Sequence, residues 1–163
     1  MSLRLHVDLD SQELRVWKDG VLLASYPVST AANGPGELIG SECTPVGRHR
    51  IRLKIGEHCP PNTVFVARRP TGEIYTPALG EKYPHRDWVL TRILWLSGME
   101  PGKNRGGDCD TLRRFIYIHG TPQGSLLGRA VSHGCIRMAN NDLIEMFDRV
   151  SNNTIVDIGP AVS

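Results

Sequence analysis

Residues 3–28 read LRLHVDLDSQELRVWKDGVLLASYPV, and this stretch sets the fold class. From residue 3 to residue 9, leucine and valine alternate with charged or polar residues, the period of a strand with one buried face. Residues 13–18 and 21–28 form two further apolar-rich runs. Asp19 and Gly20 lie between them and favour a hairpin, because both turn positions tolerate positive φ. The chain is therefore predicted to begin with three successive strands.

The remaining elements continue this pattern. Residues 48–55 alternate four basic side chains with His49, Ile51, Leu53 and Ile55, as in a half-buried strand with a basic outer face. Further strands are predicted at 63–67, 115–119 and 154–158. Residues 142–150 predict a helix, capped by Asn140 or Asn141. One face of that helix carries Leu143, Met146, Phe147 and Val150. The sequence predicts a mainly β fold, a sandwich or partly closed barrel with one principal helix.

Residues 70–111 do not follow a simple pattern. Prolines interrupt them four times, and the apolar stretch 88–96 fits either a buried strand or a short helix. Long segments of this kind inside a compact domain are usually lids or binding loops. We expect one domain, residues 1–163, with a possible lid insertion at about 70–111 that carries Trp88 and Trp95.

Charge and hydropathy exclude two classes of partner. The net charge of +2 is too small, and the basic residues too scattered, for a nucleic-acid-binding protein. No apolar run is long enough for a membrane helix. The first twenty residues have a strand pattern instead of an export signal. This favours a cytoplasmic location, or a periplasmic one if the chain is a trimmed form of a longer protein.

The four cysteines include no Cys-x-x-Cys pair, which argues against a zinc ribbon or a thioredoxin motif. A cytoplasmic location implies free thiols. Three of them, Cys43, Cys59 and Cys109, are interpreted as small apolar residues. The isolated histidines at positions 6, 49, 58 and 85 are interpreted as ordinary core or surface residues.

Residues 115–120 (FIYIHG) and 132–138 (SHGCIRM) carry the chemistry. A thiol attacks a carbonyl only after it loses its proton, and a nearby imidazole removes that proton and later returns it to the leaving amine. His119 ends a predicted strand, and Cys135 follows sixteen positions later. A strand, a loop and a return strand or turn would bring the two together. Gly120 is predicted to clear space beside His119.

Gly134 permits a sharp turn before the nucleophile. It also leaves room for a substrate carbonyl near the N–H groups of Gly134 and Cys135. These are candidate oxyanion donors, each of which is often worth roughly 3 kcal/mol in catalysis.

The segment His119-Gly120, a loop, and Ser132-His133-Gly134-Cys135-Ile136-Arg137 resembles the signature of the L,D-transpeptidase catalytic domain, the YkuD-like family. Pro27-Val28-Ser29-Thr30-Ala31 and Thr44-Pro45-Val46-Gly47 also resemble family stretches. The resemblance covers residues 3–158, apart from the insertion around 80–110.

The resemblance implies a β-sandwich-like domain that acts on peptidoglycan tetrapeptide stems. Cys135 would attack the carbonyl of the third residue, and His119 would protonate the terminal D-alanine as it leaves. His133 would orient or polarise the site, and Ser132 would help to position the loop. The thioester would then pass to an amine, which gives a 3→3 cross-link, or to water, as in an L,D-carboxypeptidase. Carbapenems would acylate Cys135, and no cofactor or metal is implied.

Arg137 stands where many family members have asparagine. It could bind a substrate carboxylate bidentately, or it could pair with a nearby acid. Both interpretations stay open at this stage.

Two other classes of function compete with this interpretation. His119, His133 and Cys135 could supply three zinc ligands. A non-catalytic wall-binding module would keep the fold without needing the thiol. Within the favoured class, the cytoplasmic expectation favours a carboxypeptidase that trims recycled muropeptides, with cross-linking in the wall as the alternative.

Overall fold

The computed structural model describes residues 3–160, so the ends of the predicted domain at 1–2 and 161–163 lie outside it. The strands of the described part are β1 (Leu3–Asp8), β2 (Glu13–Lys18), β3 (Val21–Ser29), β4 (Gly47–Ile55), β5 (Thr63–Val66), β6 (Arg69–Ile74), β7 (Val89–Gly98), β8 (Tyr117–Gly120), β9 (Ile136–Met138) and β10 (Ile155–Gly159). The helices are α1 (Pro77–Lys82) and α2 (Asn140–Arg149).

The strands form one sheet that closes on itself. Neighbouring strands follow the order β4-β10-β1-β2-β3-β9-β8-β7, and β7 pairs back with β4. These eight strands complete a barrel, and the β5–β6 hairpin extends from it because β5 pairs with β7. The prediction of a mainly β fold with one principal helix is confirmed, and the barrel is closed.

The hairpin of β2 and β3 forms for the reason that the sequence indicates. Asp19 and Gly20 have φ angles of 50° and 81°, the left-handed values that a two-residue turn between twisted strands requires. The flanking strands β2 and β3 pair antiparallel, with one bulge between Val16 and Trp17. The three predicted N-terminal strands therefore form a continuous meander that makes up one side of the barrel.

Helix α2 contributes its apolar face to the main core. The buried residues of this face are Leu143, Met146, Phe147 and Val150, as predicted. Burying side chains of this size stabilises the fold by about 1.5–3 kcal/mol each. The predicted cap is wrong: the N-cap residue is Ala139, and it makes no side-chain capping bond. Asn140 instead donates to Asn62 Oδ1 at 3.0 Å, which ties the start of α2 to the loop before β5.

Strand β4 departs from strict alternation. His49 and Ile51 are buried as predicted, but Leu53 is 39% exposed. The pairing with β7 shifts register between Ile51 and Leu53. A bulge at this point rotates the following side chains, so that Leu53 turns towards solvent.

Residues 70–111 contain a barrel strand. The stretch that could be strand or helix is β7, which is buried along most of its length. Trp95 lies within β7, whereas Trp88 lies in the loop before it and packs edge-on against Tyr75, with ring centroids 5.0 Å apart. Residues 75–88 and 99–111 lie outside the barrel strands, whereas Trp95 belongs to β7 and is therefore not part of a separate lid. No helix within residues 3–160 is long and apolar enough to cross a membrane.

Candidate active site

Cys135 and His119 lie on neighbouring strands on one side of the barrel. His119 belongs to β8, Cys135 immediately precedes β9, and the two strands pair in parallel with His119 opposite Arg137. Ile118 and Ile136 point into the main core. Because side chains alternate along a strand, Cys135, His119 and Arg137 lie on the outer face. The strand and the loop that the spacing suggested are present, but β9 runs parallel to β8, so the loop brings the chain back before β9 begins.

The thiol of Cys135 is held by main-chain groups. Its sulfur accepts a hydrogen bond from Tyr117 N at 3.3 Å, and its S–H donates to Phe115 O at 3.4 Å. Within residues 3–160, no hydrogen bond joins the sulfur to His119 or His133. Burial of the sulfur raises the pKa of Cys135 to about 12, although the residue keeps part of its surface exposed. The thiol is therefore protonated before substrate arrives.

The ring of His119 is fixed in one tautomer. Its Nδ1 lies 2.7 Å from the carbonyl oxygen of Gly120. Because a carbonyl only accepts, Nδ1 carries the proton and Nε2 keeps its lone pair. No group among residues 3–160 hydrogen-bonds that nitrogen. Burial lowers the pKa of His119, which favours the neutral ring. A neutral imidazole with a free Nε2 has the form that a general base needs.

The loop before Cys135 is held by both upstream stretches that resemble the family. Ser132 N donates to Thr30 O at 2.8 Å. Thr44 Oγ1 donates to Gly134 O at 2.9 Å and accepts from Ala31 N at 3.0 Å. Thr44 is completely buried, so these bonds are shielded from water. Sequence reasoning identified these stretches without finding this role for them.

Ser132 positions the turn from within. Its hydroxyl donates to Cys135 O at 2.6 Å and accepts from Gly134 N at 3.2 Å. Gly134 has a φ of 132°, and a Cβ there would come within 3.3 Å of Cys43 O. Glycine is therefore required at this turn. One of the two predicted oxyanion donors, Gly134 N–H, is already bonded within the loop, which makes Cys135 N–H the stronger candidate.

Gly120 has a different function from the one predicted. A Cβ at this position would lie 2.7 Å from Leu90 O and would overlap Asn140 Oδ1. Glycine thus allows β8 to approach β7 and α2 closely, and it does not clear space for substrate. Its carbonyl holds the imidazole of His119, a contact that only the structure reveals.

A cavity of about 700 Å³ lies beside the segment that carries Cys135, and it is lined by His133 and Arg137 but not by Cys135 or His119. His133 and Arg137 line one side of it, and residues from segment 75–88 line the other. Arg137 donates to Asp87 Oδ1 and to Gln123 Oε1, both at 3.3 Å, and only 10% of its side chain is exposed. The pairing of Arg137 with an acid is thus present, and its binding of substrate stays a prediction.

The structure also bears on the other three cysteines and on the possible zinc site. All four cysteines lie within residues 3–160 and are free thiols. Those predicted to be apolar core residues are only partly buried: Cys43, Cys59 and Cys109. In the described part of the chain, no three histidine, cysteine or acidic side chains are grouped to hold a metal ion. His133 is exposed while His119 is buried, so the arrangement gives the zinc alternative no support.

Known proteins share this architecture. The LD transpeptidase LdtMt1 in complex with imipenem matches 96% of this chain and 58% of its own, with 18% identity and a TM-score of 0.58. L,D-transpeptidase 3 from Mycobacterium tuberculosis, in complex with a faropenem-derived adduct, matches 97% and 60%, with 17% identity and a TM-score of 0.60. At these identities the likeness shows the fold alone.

Sequence comparison is more specific. The YkuD protein of Bacillus subtilis (strain 168), which carries the name of an L,D-transpeptidase, is 54% identical over 95 residues. That match covers 58% of this chain and 47% of the relative, so the chain spans less than half the length of this relative. The family model for the L,D-transpeptidase catalytic domain, YkuD, matches residues 2–158. The chain therefore belongs to the L,D-transpeptidase catalytic domain family.

Proposed function

We propose that this domain is a cysteine acyltransferase that cleaves peptidoglycan tetrapeptide stems before the terminal D-alanine. One observation carries the proposal: a buried, neutral imidazole with a free Nε2 lies on the same outer face of the barrel as the thiol of Cys135. Family membership supplies the class of substrate. The geometry supports the chemistry, because the two groups that acyl transfer requires are each held by main-chain hydrogen bonds on one face of the barrel.

Acylation follows from these positions. As the sulfur attacks the carbonyl carbon of the third stem residue, Nε2 of His119 takes the thiol proton. The carbonyl oxygen becomes an oxyanion, which the N–H of Cys135 is placed to stabilise. Collapse of this intermediate breaks the amide bond, and the imidazolium returns the proton to the leaving nitrogen. Free D-alanine departs, and a thioester remains on Cys135.

Because the thiol has a pKa of about 12, proton transfer accompanies attack. A preformed thiolate–imidazolium pair is not part of this scheme. Alkylation of the resting enzyme by a small reagent such as iodoacetamide should therefore be slow at neutral pH, while a bound acylating substrate reacts through His119.

We further propose that water is the main acceptor, so that the enzyme acts as an L,D-carboxypeptidase. The cavity of about 700 Å³ beside the loop of Cys135 supports this, because it has the size of a site for one small ligand. Segment 75–88, including Trp88 and Asp87, lines one side of it. A bounded site of this size would hold one stem and water more readily than two stems.

Cross-linking is the second candidate, and the transpeptidase names of the relatives favour it. Mass spectrometry of the purified protein with a disaccharide tetrapeptide, with and without a D-amino acid acceptor, separates the two. Hydrolysis gives tripeptide and free D-alanine with little dimer, whereas transpeptidation gives abundant 3→3 dimer or exchanged stem. A Cys135→Ala sample is the control for spontaneous cleavage.

A trimming role in muropeptide recycling implies that the native protein meets its substrate in the cytoplasm. Cell fractionation with an antibody to this domain tests that part of the proposal. Cells that lack the protein should also accumulate tetrapeptide-bearing muropeptides in the cytosol. Recovery of the native protein outside the cytoplasmic membrane would favour the cross-linking alternative.

A further inference from the structure

Arg68 occupies the tip of the β5–β6 hairpin in an unusual conformation. The turn consists of Ala67 and Arg68, whose φ angles are 47° and 64°, between the paired residues Val66 and Arg69. Glycine, asparagine and aspartate are the usual residues in such turns, because other side chains are strained there. The backbone strain at Ala67 and Arg68 is thus the energetic cost of having a long cationic side chain at the tip of the hairpin.

The guanidinium of Arg68 lies against the aromatic residues that surround the nucleophile. It is 4.8 Å from the ring centroids of both Trp95 and Phe115, and it donates to Tyr117 Oη at 3.0 Å. The main-chain N–H of the same tyrosine donates to the sulfur of Cys135. Tyr117 therefore connects Arg68 to the thiol, through its hydroxyl on one side and its main-chain N–H on the other.

This guanidinium has no acidic partner. Within residues 3–160, no carboxylate lies within ion-pair distance of Arg68, whereas Arg137 pairs with Asp87 at 3.3 Å and Arg86 pairs with Glu73 at 2.9 Å. The tyrosine hydroxyl uses one donor, and the aromatic faces hold the plane of the group without using its remaining N–H groups. Arg68 is thus an oriented cation beside the nucleophile with donors to spare.

We propose that Arg68 binds the terminal carboxylate of the substrate and makes the enzyme an exopeptidase. The inference rests on the proposed function, which places the leaving D-alanine beside Cys135. The carboxylate of that residue is on the carbon next to the scissile nitrogen, so its partner must lie on the face of the thiol, where Tyr117 connects Arg68 to Cys135. A planar guanidinium binds a carboxylate through two parallel hydrogen bonds. Stems extended beyond the fourth residue carry an amide there and are disfavoured.

The test compares two donor stems that differ only at the terminus, one ending in D-alanine and the other in D-alaninamide. Loss of a charge-assisted hydrogen bond in Arg68→Met should lower kcat/KM for the carboxylate stem by roughly 10- to 100-fold. The amide stem should react alike with both enzymes, and wild type should prefer the carboxylate by the same factor. Arg68→Lys, which keeps the charge but loses the bidentate geometry, should fall between them.

Arg69→Met is the matched control, because Arg69 is the next residue of the same hairpin and is exposed. It should leave the preference of wild type unchanged. An equal loss on both stems in Arg68→Met would show that the residue only supports the hairpin, and would overturn the inference. A wild-type enzyme that cleaves both stems equally would also overturn it and leave the proposed function intact. A wild type that cleaves neither stem and forms no adduct at Cys135 would refute the proposed function itself.

Discussion

Two buried histidines, His49 and His119, share nearly every property that usually marks a catalytic residue. They are 0% and 1% exposed, and burial lowers the pKa of each ring. Each donates from Nδ1 to a main-chain carbonyl, of Gly47 at 3.0 Å and of Gly120 at 2.7 Å. They differ at Nε2, where His49 accepts from the hydroxyl of Thr111 at 2.9 Å. Within residues 3–160, His119 has no such partner.

Under the proposed function, the free Nε2 is the property that separates a general base, His119, from a structural histidine, His49. Burial, a lowered pKa and a fixed tautomer are present in both rings, so none of them distinguishes the site. The lone pair of His49 is already used in the core, and that ring serves stability. The lone pair of His119 is free on the face where Cys135 lies, and that ring can accept a proton. The following predictions test this contrast.

The largest expected effect is that of removing the thiol of Cys135, whose proton His119 is proposed to take. Cys135→Ala should abolish turnover and carbapenem acylation while the fold is retained, because the substitution removes the thiol proposed to attack the carbonyl. Intact-mass spectrometry after incubation with a carbapenem measures this directly. Serine substitutions at Cys43, Cys59 and Cys109, made singly, are the controls and should leave the adduct unchanged. Turnover above a trace in Cys135→Ala would contradict the assignment of the nucleophile.

The next prediction separates His119 from His49. His119→Ala should lower the rate of acylation by roughly 10²–10⁴-fold, the usual contribution of general acid–base catalysis. His49→Gln should leave the acylation rate unchanged in the folded fraction, because that ring does not reach the thiol. Rapid-quench mass spectrometry of adduct formation gives both rates. An equal loss in the two variants would mean that a free Nε2 is not the decisive property.

The pH dependence of stability tests the buried ring of His49. Burial lowers the pKa of His49 to about 4, from an ordinary value near 6.5. The folded state therefore disfavours protonation, so this contribution to stability is fully present above pH 6.5 and is lost as the pH falls towards 4. The free energy of unfolding should drop by about 2 kcal/mol between pH 7 and pH 5 on account of this group.

Urea unfolding at the two pH values, in wild type and in His49→Gln, measures this contribution. The variant should lose less stability than wild type over the interval, because it lacks the titrating ring. His119 contributes in the same direction in both proteins and cancels in the difference. Parallel losses in the two proteins would show that His49 does not couple to folding.

Much of the barrel was predictable from local pattern. The first three strands and the apolar face of α2 follow from alternation and helical spacing, and the turn at Asp19-Gly20 follows from its residue types. Strand β7 was not predictable, since it is buried on both faces and contains a bulge at Thr91, where φ is 77°. Closure of the barrel depends on the pairing of β4 with β7, which are far apart in sequence. The alternation of side chains within each strand does not indicate that pairing.

The residues of the candidate active site likewise fall into two groups, those that the sequence identified and those that it did not. Cys135 stands out in sequence because Ser-His-Gly-Cys is polar, small and unsuited to a packed core, and His119 stands out because it ends a predicted strand just before a loop. The carbonyl of Gly120, the hydroxyl of Thr44 and the guanidinium of Arg68 did not stand out, since each acts through a contact that exists only after folding. The sequence distinguished His119 from His49 only by the motif that neighbours His119.

The smallest expected effect sharpens the contrast with a third histidine. His133 precedes the nucleophile by two residues, yet it is exposed on the wall of the cavity and lacks the burial and fixed tautomer of the other two. A ring that solvent reaches can assist or orient, but it is not held where it would take the thiol proton. His133→Ala should therefore cost less than roughly tenfold in kcat/KM, below the usual range for general acid–base catalysis, and mainly through KM. Steady-state release of D-alanine measures this, with His85→Ala, an exposed histidine lining the same cavity, as the matched control. A larger loss in His133→Ala than in His119→Ala would reverse the two roles, and the free Nε2 of the buried ring would then not be the base.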